Sequence, residues 1–267
     1  MSYVEAEYEM SERHACRLLG LGRSTHRYRA RKVERDAALR TRLKELAARR
    51  MRFGYRRLTA MLEREGMAAN HKRVYRLYRA EGLAMRIRQR RRIRWNGTVV
   101  KPAASQANER WSMDFVSDCV RGKVIRMLTI VDDCTRECPV IEVDSSLGGL
   151  RVRRVLDRIA IERGLPEAIV VDNGPEFRGR ALAAWSEERG VRLEFIQPGK
   201  PVQNAYIESF NGRLRDECLN ANWFTSLSDA RRKIETWRKD YNEQRPHSSL
   251  NYLPPAEFAR TAAEMRA

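Results

Sequence analysis

Between Trp111 and Leu219 short apolar runs alternate with longer amphipathic ones, and this alternation restricts the possible folds more than any other feature. Trp111 to Ser117, Val124 to Asp132 and Glu137 to Val143 read as three consecutive strands, most simply antiparallel, because each run is short and apolar. Leu150 to Arg163 carries apolar residues at helical spacing. Ala168 to Val171 is a short buried strand that ends at Asp172. Ala181 to Arg189 predicts a helix, Arg192 to Ile196 a strand and Asn204 to Leu219 a last helix. Strands with interleaved helices point to an α/β domain. Element order alone admits several such folds.

Three acids stand in distinctive places on this frame: Asp114 in WSMDFVSD, Asp172 in IVVDNGPEF and Glu208 in NAYIESFNGRLRDE, with 35 residues between the last two. Two end or cross apolar strands, and the third lies on an amphipathic helix. Two strands and a helix can bring three carboxylates to one point. Such carboxylates repel one another unless a cation lies between them, and hard divalent cations take oxygen ligands. The chain has 35 acidic residues, so any one of them alone reads as a solvated surface charge. Three in these settings together do not.

The segments WSMDF, VVDNGPEF and QNAYIESFNGRLRDE, in this order and spacing, resemble the catalytic core of DDE transposases and retroviral integrases. The likeness is greatest to the integrase-like, second-reading-frame proteins of bacterial insertion sequences of the IS-three family. YNEQRPHSSLNYLPPAEF, Tyr241 to Phe258, also resembles that family's C-terminal signature. The resemblance covers nearly the whole chain. It implies an RNase-H-like, retroviral-integrase-like core preceded by an all-α helix-turn-helix region. It also implies DNA end cleavage and strand transfer by phosphoryl transfer, with no covalent enzyme intermediate. Two Mg²⁺ ions, or Mn²⁺ as substitute, would be held by Asp114 between both, Asp172 on one and Glu208 on the other.

Asn211 and Arg215 lie three and seven residues after Glu208, so they share its helix face and read as DNA contacts. Lys200 and Gln203, in the loop before that helix, are further candidates. Asn173 suits either DNA contact or a turn. Asp132, Asp133 and Glu176 are expected to serve turns or surface rather than catalysis. Cys134 and Cys138 read as packed thiols, and His247 as a structural residue in a segment that folds back on the core.

Charge divides the chain. Met1 to Arg110 holds 29 basic and 11 acidic residues; Trp111 to Ala267 holds 24 of each, so the whole net charge of +18 lies in the first part. Such asymmetry points to a polyanion, most simply duplex DNA. Membrane attachment is disfavoured, because the sequence shows no long apolar run, signal peptide or lipidation motif. Cys16, Cys119, Cys134, Cys138 and Cys218 are odd in number and scattered, which fits reduced thiols in a cytosol; the resemblance implies a bacterial cytoplasm, near the nucleoid. With four histidines (His14, His26, His71, His247) and no Cys-x-x-Cys pair, no structural zinc is expected.

Residues 1–50 read as helical, with a candidate helix-turn-helix around Gly20-Leu21-Gly22. Ser11 and Ser24 would cap its two helices, and Ala15, Leu18, Leu19 and Leu21 would form its seam. Arg23 and Arg27, with His26, Arg29 and Arg31, would meet DNA. A charged helix from Val33 to Arg50 closes this part. Residues 51–84 read as a second such module: Leu58, Met61 and Leu62 on one helix, Asn70 as N-cap, Val74, Leu77 and Tyr78 on the next, and Gly82 at its stop. Lys72 and Arg73 are its candidate DNA contacts. Residues 85–108 form a basic linker, with Arg90, Arg91 and Arg92 placed to track phosphates. The core takes residues 109–260.

The reading is therefore a transposase acting on element ends and target DNA. The resemblance adds a homo-oligomer on DNA and an upstream-frame protein or fusion partner. The rival readings are a catalytically inactive DNA-binding regulator and an RNase-H-like nuclease for RNA–DNA hybrids. All three acids argue against the first, and two helix-turn-helix units argue against the second.

Overall fold

The computed structural model describes residues 7–27, 32–67, 69–85, 104–197 and 204–265. Its centre is a five-stranded sheet: β1 (Arg110–Val120), β2 (Lys123–Asp132), β3 (Val140–Asp144), β4 (Ala168–Val171) and β5 (Arg192–Phe195). The spatial order is β3-β2-β1-β4-β5. The first three strands pair antiparallel; β4 joins β1 and β5 joins β4 in parallel. β1 and β2 are linked through Arg121 and Gly122, both at positive φ (48° and 77°). That two-residue turn has the twist a tight hairpin needs.

The two-residue period of β1 and β2 sends alternate side chains to opposite faces. On one face Trp111, Met113, Leu128 and Ile130 pack with Ile169 and Val171 against α6 (Gly149–Arg163) and α7 (Arg180–Arg189). On the other, Val116, Met127 and Val131 pack against α8 (Ala205–Leu214) and α9 (Leu227–Glu243). Asp114 shares the parity of Val116, so it faces α8. This sheet, with α6 and α7 as right-handed crossover candidates on one side, is the RNase-H-like architecture expected.

Three elements differ from expectation. β3 starts at Val140 instead of Glu137, because the backbone N–H and C=O of Cys138 both bond the Asn242 side chain at 2.9 Å, and Pro139 follows. The expected helix to Leu219 gives way after Leu214 to a π turn, Arg215–Leu219. The wider turn lets Leu214, Cys218 and Leu219 all reach the core. The first helix-turn-helix candidate, α1 (Glu12–Leu18) and α2 (Arg23–His26), buries only Ala15 and Cys16. Its expected seam is exposed at Leu18, Leu19 and Leu21 (61%, 45% and 43%), and Gly22, not Ser24, stands at the N-cap of α2. Two small buried side chains cannot anchor a helix pair, and α2 has only four residues among those described. Ser11 caps α1 as expected.

The helices α3 (Lys32–Arg49), α4 (Tyr55–Arg64) and α5 (His71–Ala80) form one unit. Leu39, Leu43 and Leu46 of α3 pack with Leu58, Leu62, Val74 and Leu77, so this core crosses the expected division at residue 50. Asn70 caps α5, accepting from the Lys72 N–H at 2.9 Å, and Gly82 closes it at φ 66°. No helix among the described residues is long and apolar enough to cross a membrane.

The closing segment packs back on the sheet domain. His247 is buried, its ring edge-on to Tyr241, and its Nδ1 lies 3.0 Å from Ser249 Oγ. Burial, and then the charges of Arg213, Arg245, Arg136 and Arg57, push its imidazole down to about 3. The unfolded chain therefore binds a proton below about pH 6.5 that the folded chain refuses, so stability falls as the pH drops from there towards 3. The expected slope from this group is ~1.4 kcal/mol per pH unit. Urea unfolding at pH 6.5, 5.5 and 4.5 should show that extra loss in the parent chain and not in His247→Asn. Equal pH slopes would count against it.

Candidate active site

Asp114 sits mid-way along the central strand, opposite Thr129. Asp172 follows the last residue of β4, the neighbouring strand, and Glu208 lies in the first turn of α8. Asp114 faces α8, the helix that carries Glu208, and the Asp172 and Glu208 charges both act on it. Burial, reinforced by these two charges, pushes the Asp114 carboxyl up to about 6 against its hydrogen bonds. Those bonds come from the Phe115 N–H to Oδ1 at 2.7 Å and the Asn211 amide to Oδ2 at 2.9 Å.

Asn211 is fixed in turn: Thr129 Oγ1 donates to its Oδ1 at 2.9 Å. Expected as a DNA contact, it is bonded here to Asp114 and orients that carboxylate. The sequence signal is its position four residues after Ile207, on the sheet-facing side of α8. At Asp172, Oδ1 accepts the Gly174 N–H at 2.9 Å, and a Cβ on Gly174 would lie 2.9 Å from that same oxygen. Only glycine fits there without moving the carboxylate. Glu208 is exposed and has no protein partner among the described residues, so its oxygens are open to a ligand.

The remaining candidates divide. Asn173 donates its amide to the Ile196 carbonyl at 2.8 Å and ties the acid-bearing loop to the end of β5. Arg215 is exposed at the start of the π turn. Arg73 is turned inward: with Arg76 it grips the buried Asp36, its Nε at 2.7 Å. Lys72 is exposed on the same helix. Arg27 and Arg23 both face Glu12, at 2.8 and 3.7 Å. Lys200, Gln203, Arg90, Arg91 and Arg92 lie outside the described residues, as do Arg29 and Arg31.

The other acids are occupied. Asp132 accepts the Asn108, Cys134 and Thr135 N–H groups at 2.9, 2.9 and 3.0 Å. Asp133 takes Ser112 and Arg110 at 2.6 and 2.7 Å. Glu176 pairs with Arg126 at 2.5 Å, and Arg126 in turn lies over the Phe115 ring. Cys138 is fully buried, its thiol pushed up to about 12 by that burial, which leaves it inert.

Among the described residues no group of three His, Cys, Asp or Glu side chains is closed up to hold a metal ion as it stands. The donor set of the three acids is nonetheless all carboxylate oxygen, with two negative neighbours acting on a half-buried third. That chemistry fits hard divalent cations and does not favour zinc.

Residues 104–201 and 189–255 each match a family model described as an integrase core domain, and residues 34–91 match an HTH-like domain. The chain is 54% identical over 266 residues to the 31.7 kDa protein of insertion element IS407 from Burkholderia multivorans, covering 97% of this chain and 94% of that one. The chain belongs to the integrase-like transposases of bacterial insertion sequences. A more distant relative is the transposase InsD for insertion element IS2D of Escherichia coli, 28% identical over 79% of this chain and 74% of its own length. The transposase also shares its fold with a chain of the simian T-cell lymphotropic virus intasome solved in complex with PP2A regulatory subunit B56 gamma. That match has a TM-score of 0.52 at 14% identity, over 81% of this chain and 74% of the other.

Proposed function

We propose that this transposase cuts the ends of its insertion sequence and joins them to target DNA by metal-dependent phosphoryl transfer at Asp114, Asp172 and Glu208. The observation that carries this reading is the placement of Asp114 on β1, Asp172 directly after the neighbouring β4 and Glu208 on α8, the helix packed against the Asp114 face of the sheet. The three would hold two Mg²⁺ ions, with Mn²⁺ as a substitute. Bound there, the ions lower the pKa of the attacking hydroxyl and neutralise the charge that gathers on the leaving oxygen.

The chain's own contribution is placement. The Phe115 N–H and Asn211 fix both oxygens of Asp114. The Gly174 N–H fixes one oxygen of Asp172. Glu208 enters from the exposed surface of α8, the side open to a substrate as large as DNA. The basic first part supplies affinity for duplex DNA, with Arg23, Arg27, Lys72, Arg90, Arg91 and Arg92 as proposed contacts; Lys200, Gln203 and Arg215 are proposed contacts in the core, and the assembly on DNA is a homo-oligomer. An inactive regulator is the less favoured reading, because every position of the acidic triad is filled.

The test is a supercoiled plasmid carrying the element's own ends, incubated with the full chain in Mg²⁺, Mn²⁺, Ca²⁺ or EDTA. Cleavage and joining in Mg²⁺ and Mn²⁺, with docking and little chemistry in the larger Ca²⁺, is the expected pattern. Full activity in EDTA would end the two-metal reading.

A further inference from the structure

A cleft of about 1460 Å³ lies between the helical unit and the sheet domain. One wall is the turn from Arg49 to Phe53 that joins α3 to α4; the other is α8 and the π turn, with Glu208 and Arg213 among its residues. The walls are held together by ion pairs. Arg50 meets Asp240 through its two terminal guanidinium nitrogens, Nη1 and Nη2, each at 2.5 Å, and Arg57 meets Glu217 at 3.3 Å. On the outer side Arg64 of α4 meets Glu257 of α10 (Pro255–Glu264) at 2.5 Å. Arg57 and Arg245 also lie over the Phe53 ring, 5.3 and 5.6 Å from its centre.

Cations exceed their partners in this cleft. Arg50 and Arg57 are paired, whereas Arg49, Arg52 and Arg213 have no ion pair among the described residues. Of the acids on its lining, Glu217 is already taken by Arg57 and Arg245, while Asp216 and Glu208 make no ion pair among the described residues, so five arginines face three acids. Burial, followed by repulsion from Arg245, pushes the Arg57 guanidinium down to about 10. Three unpaired guanidiniums spread over two walls match a line of phosphates rather than a single anion. Glu208 lines the same cleft.

We propose that this cleft carries the sugar–phosphate backbone of a DNA duplex past Glu208, with Arg49, Arg52 and Arg213 holding phosphates. The helical unit is then part of the active-site surface of its own chain, positioning the strand that the carboxylates cut. This rests on the transposase reading, because it takes Glu208 as the point of chemistry.

The test uses a fluorescent duplex of arbitrary sequence, without metal, and follows affinity against KCl concentration. Arg49→Ala/Arg52→Ala should lower the slope of log affinity against log salt by about 1.8, at about 0.9 for each phosphate no longer neutralised. Arg213→Ala should lower it by about 0.9. A control, Arg154→Ala/Arg192→Ala, removes the same charge at exposed positions on α6 and β5 and should leave the slope unchanged. Thermal melting of the exposed-residue variants should match the parent. An unchanged slope in the Arg49/Arg52 pair, or an equal fall in the control, would overturn the proposal. The outcome is separable from the transposase reading. A lowered slope in a chain that never cuts DNA keeps the cleft and removes the activity; normal cutting with an unchanged slope removes the cleft alone.

Discussion

Asp114→Asn, Asp172→Asn and Glu208→Gln should each reduce end cleavage and strand transfer by about 10³-fold or more while leaving duplex affinity near that of the parent chain. Each change keeps the side-chain volume and removes one charge from a set of three. Charge stabilisation of the transferring phosphoryl group is worth several kcal/mol, and ~1.4 kcal/mol is tenfold in rate. Binding is spared because the basic excess lies before Trp111, away from these positions in sequence. Asn211→Ala should lie between: it leaves the three acids in place but frees Asp114 Oδ2 from its 2.9 Å bond. Near-parental strand transfer in any one of the three acid variants would remove that residue from the site.

The second large effect is on stability. Arg245 is buried at 1% side-chain exposure and its guanidinium is gripped by Glu217 through two bonds of 2.7 Å. Glu217→Ala would strand that cation, and Arg57 beside it, in a desolvated position. Removing one partner of a buried pair costs ~3–5 kcal/mol, far more than losing a surface ion pair. The expected fall in melting temperature is roughly 10 °C for a chain of this size. Glu217→Gln, which keeps an acceptor, should lose less. A Glu217→Ala chain that melts within a degree or two of the parent would show that Arg245 finds water or another partner.

The three acids and the Glu217–Arg245 pair differ in how far sequence reveals them. The acids are readable because their mounts are local: a strand residue flanked by Trp111, Met113 and Phe115, a strand end before Asn173-Gly174, and a helix face. The sheet is readable for the same reason, since two-residue and helical periods report which side of an element is buried. β4 and the central parts of β1 and β2 stand where the pattern puts them. The late start of β3 is not readable, because it depends on Asn242, more than a hundred residues away in sequence. The π turn is equally hidden: a helical period cannot register one extra residue that a distant core demands. Arg73 looks like a DNA contact beside Lys72, and only the fold reveals the buried Asp36 that holds it. The leucines near Gly20 fit a helical seam in sequence, yet no second apolar surface meets Leu18, Leu19 or Leu21 among the described residues.

Glu217 ends a segment that resembles the family's catalytic core and Arg245 lies in one that resembles its C-terminal signature, but their pairing depends on how α9 and the π turn return to one place. The cleft beside them is a product of tertiary packing as well, since its walls come from positions near residues 50 and 210.

The most direct measurement of the central claim, that Asp114, Asp172 and Glu208 form one divalent-cation site, is thermal melting of the full chain and of Glu208→Gln with and without excess Mg²⁺. At a concentration about a hundredfold above its dissociation constant, a bound ion stabilises the folded chain by ~2.7 kcal/mol, a shift of several degrees. The parent should show that shift and Glu208→Gln only a small part of it. An equally large shift in Glu208→Gln would mean that the ion binds elsewhere and would contradict the site.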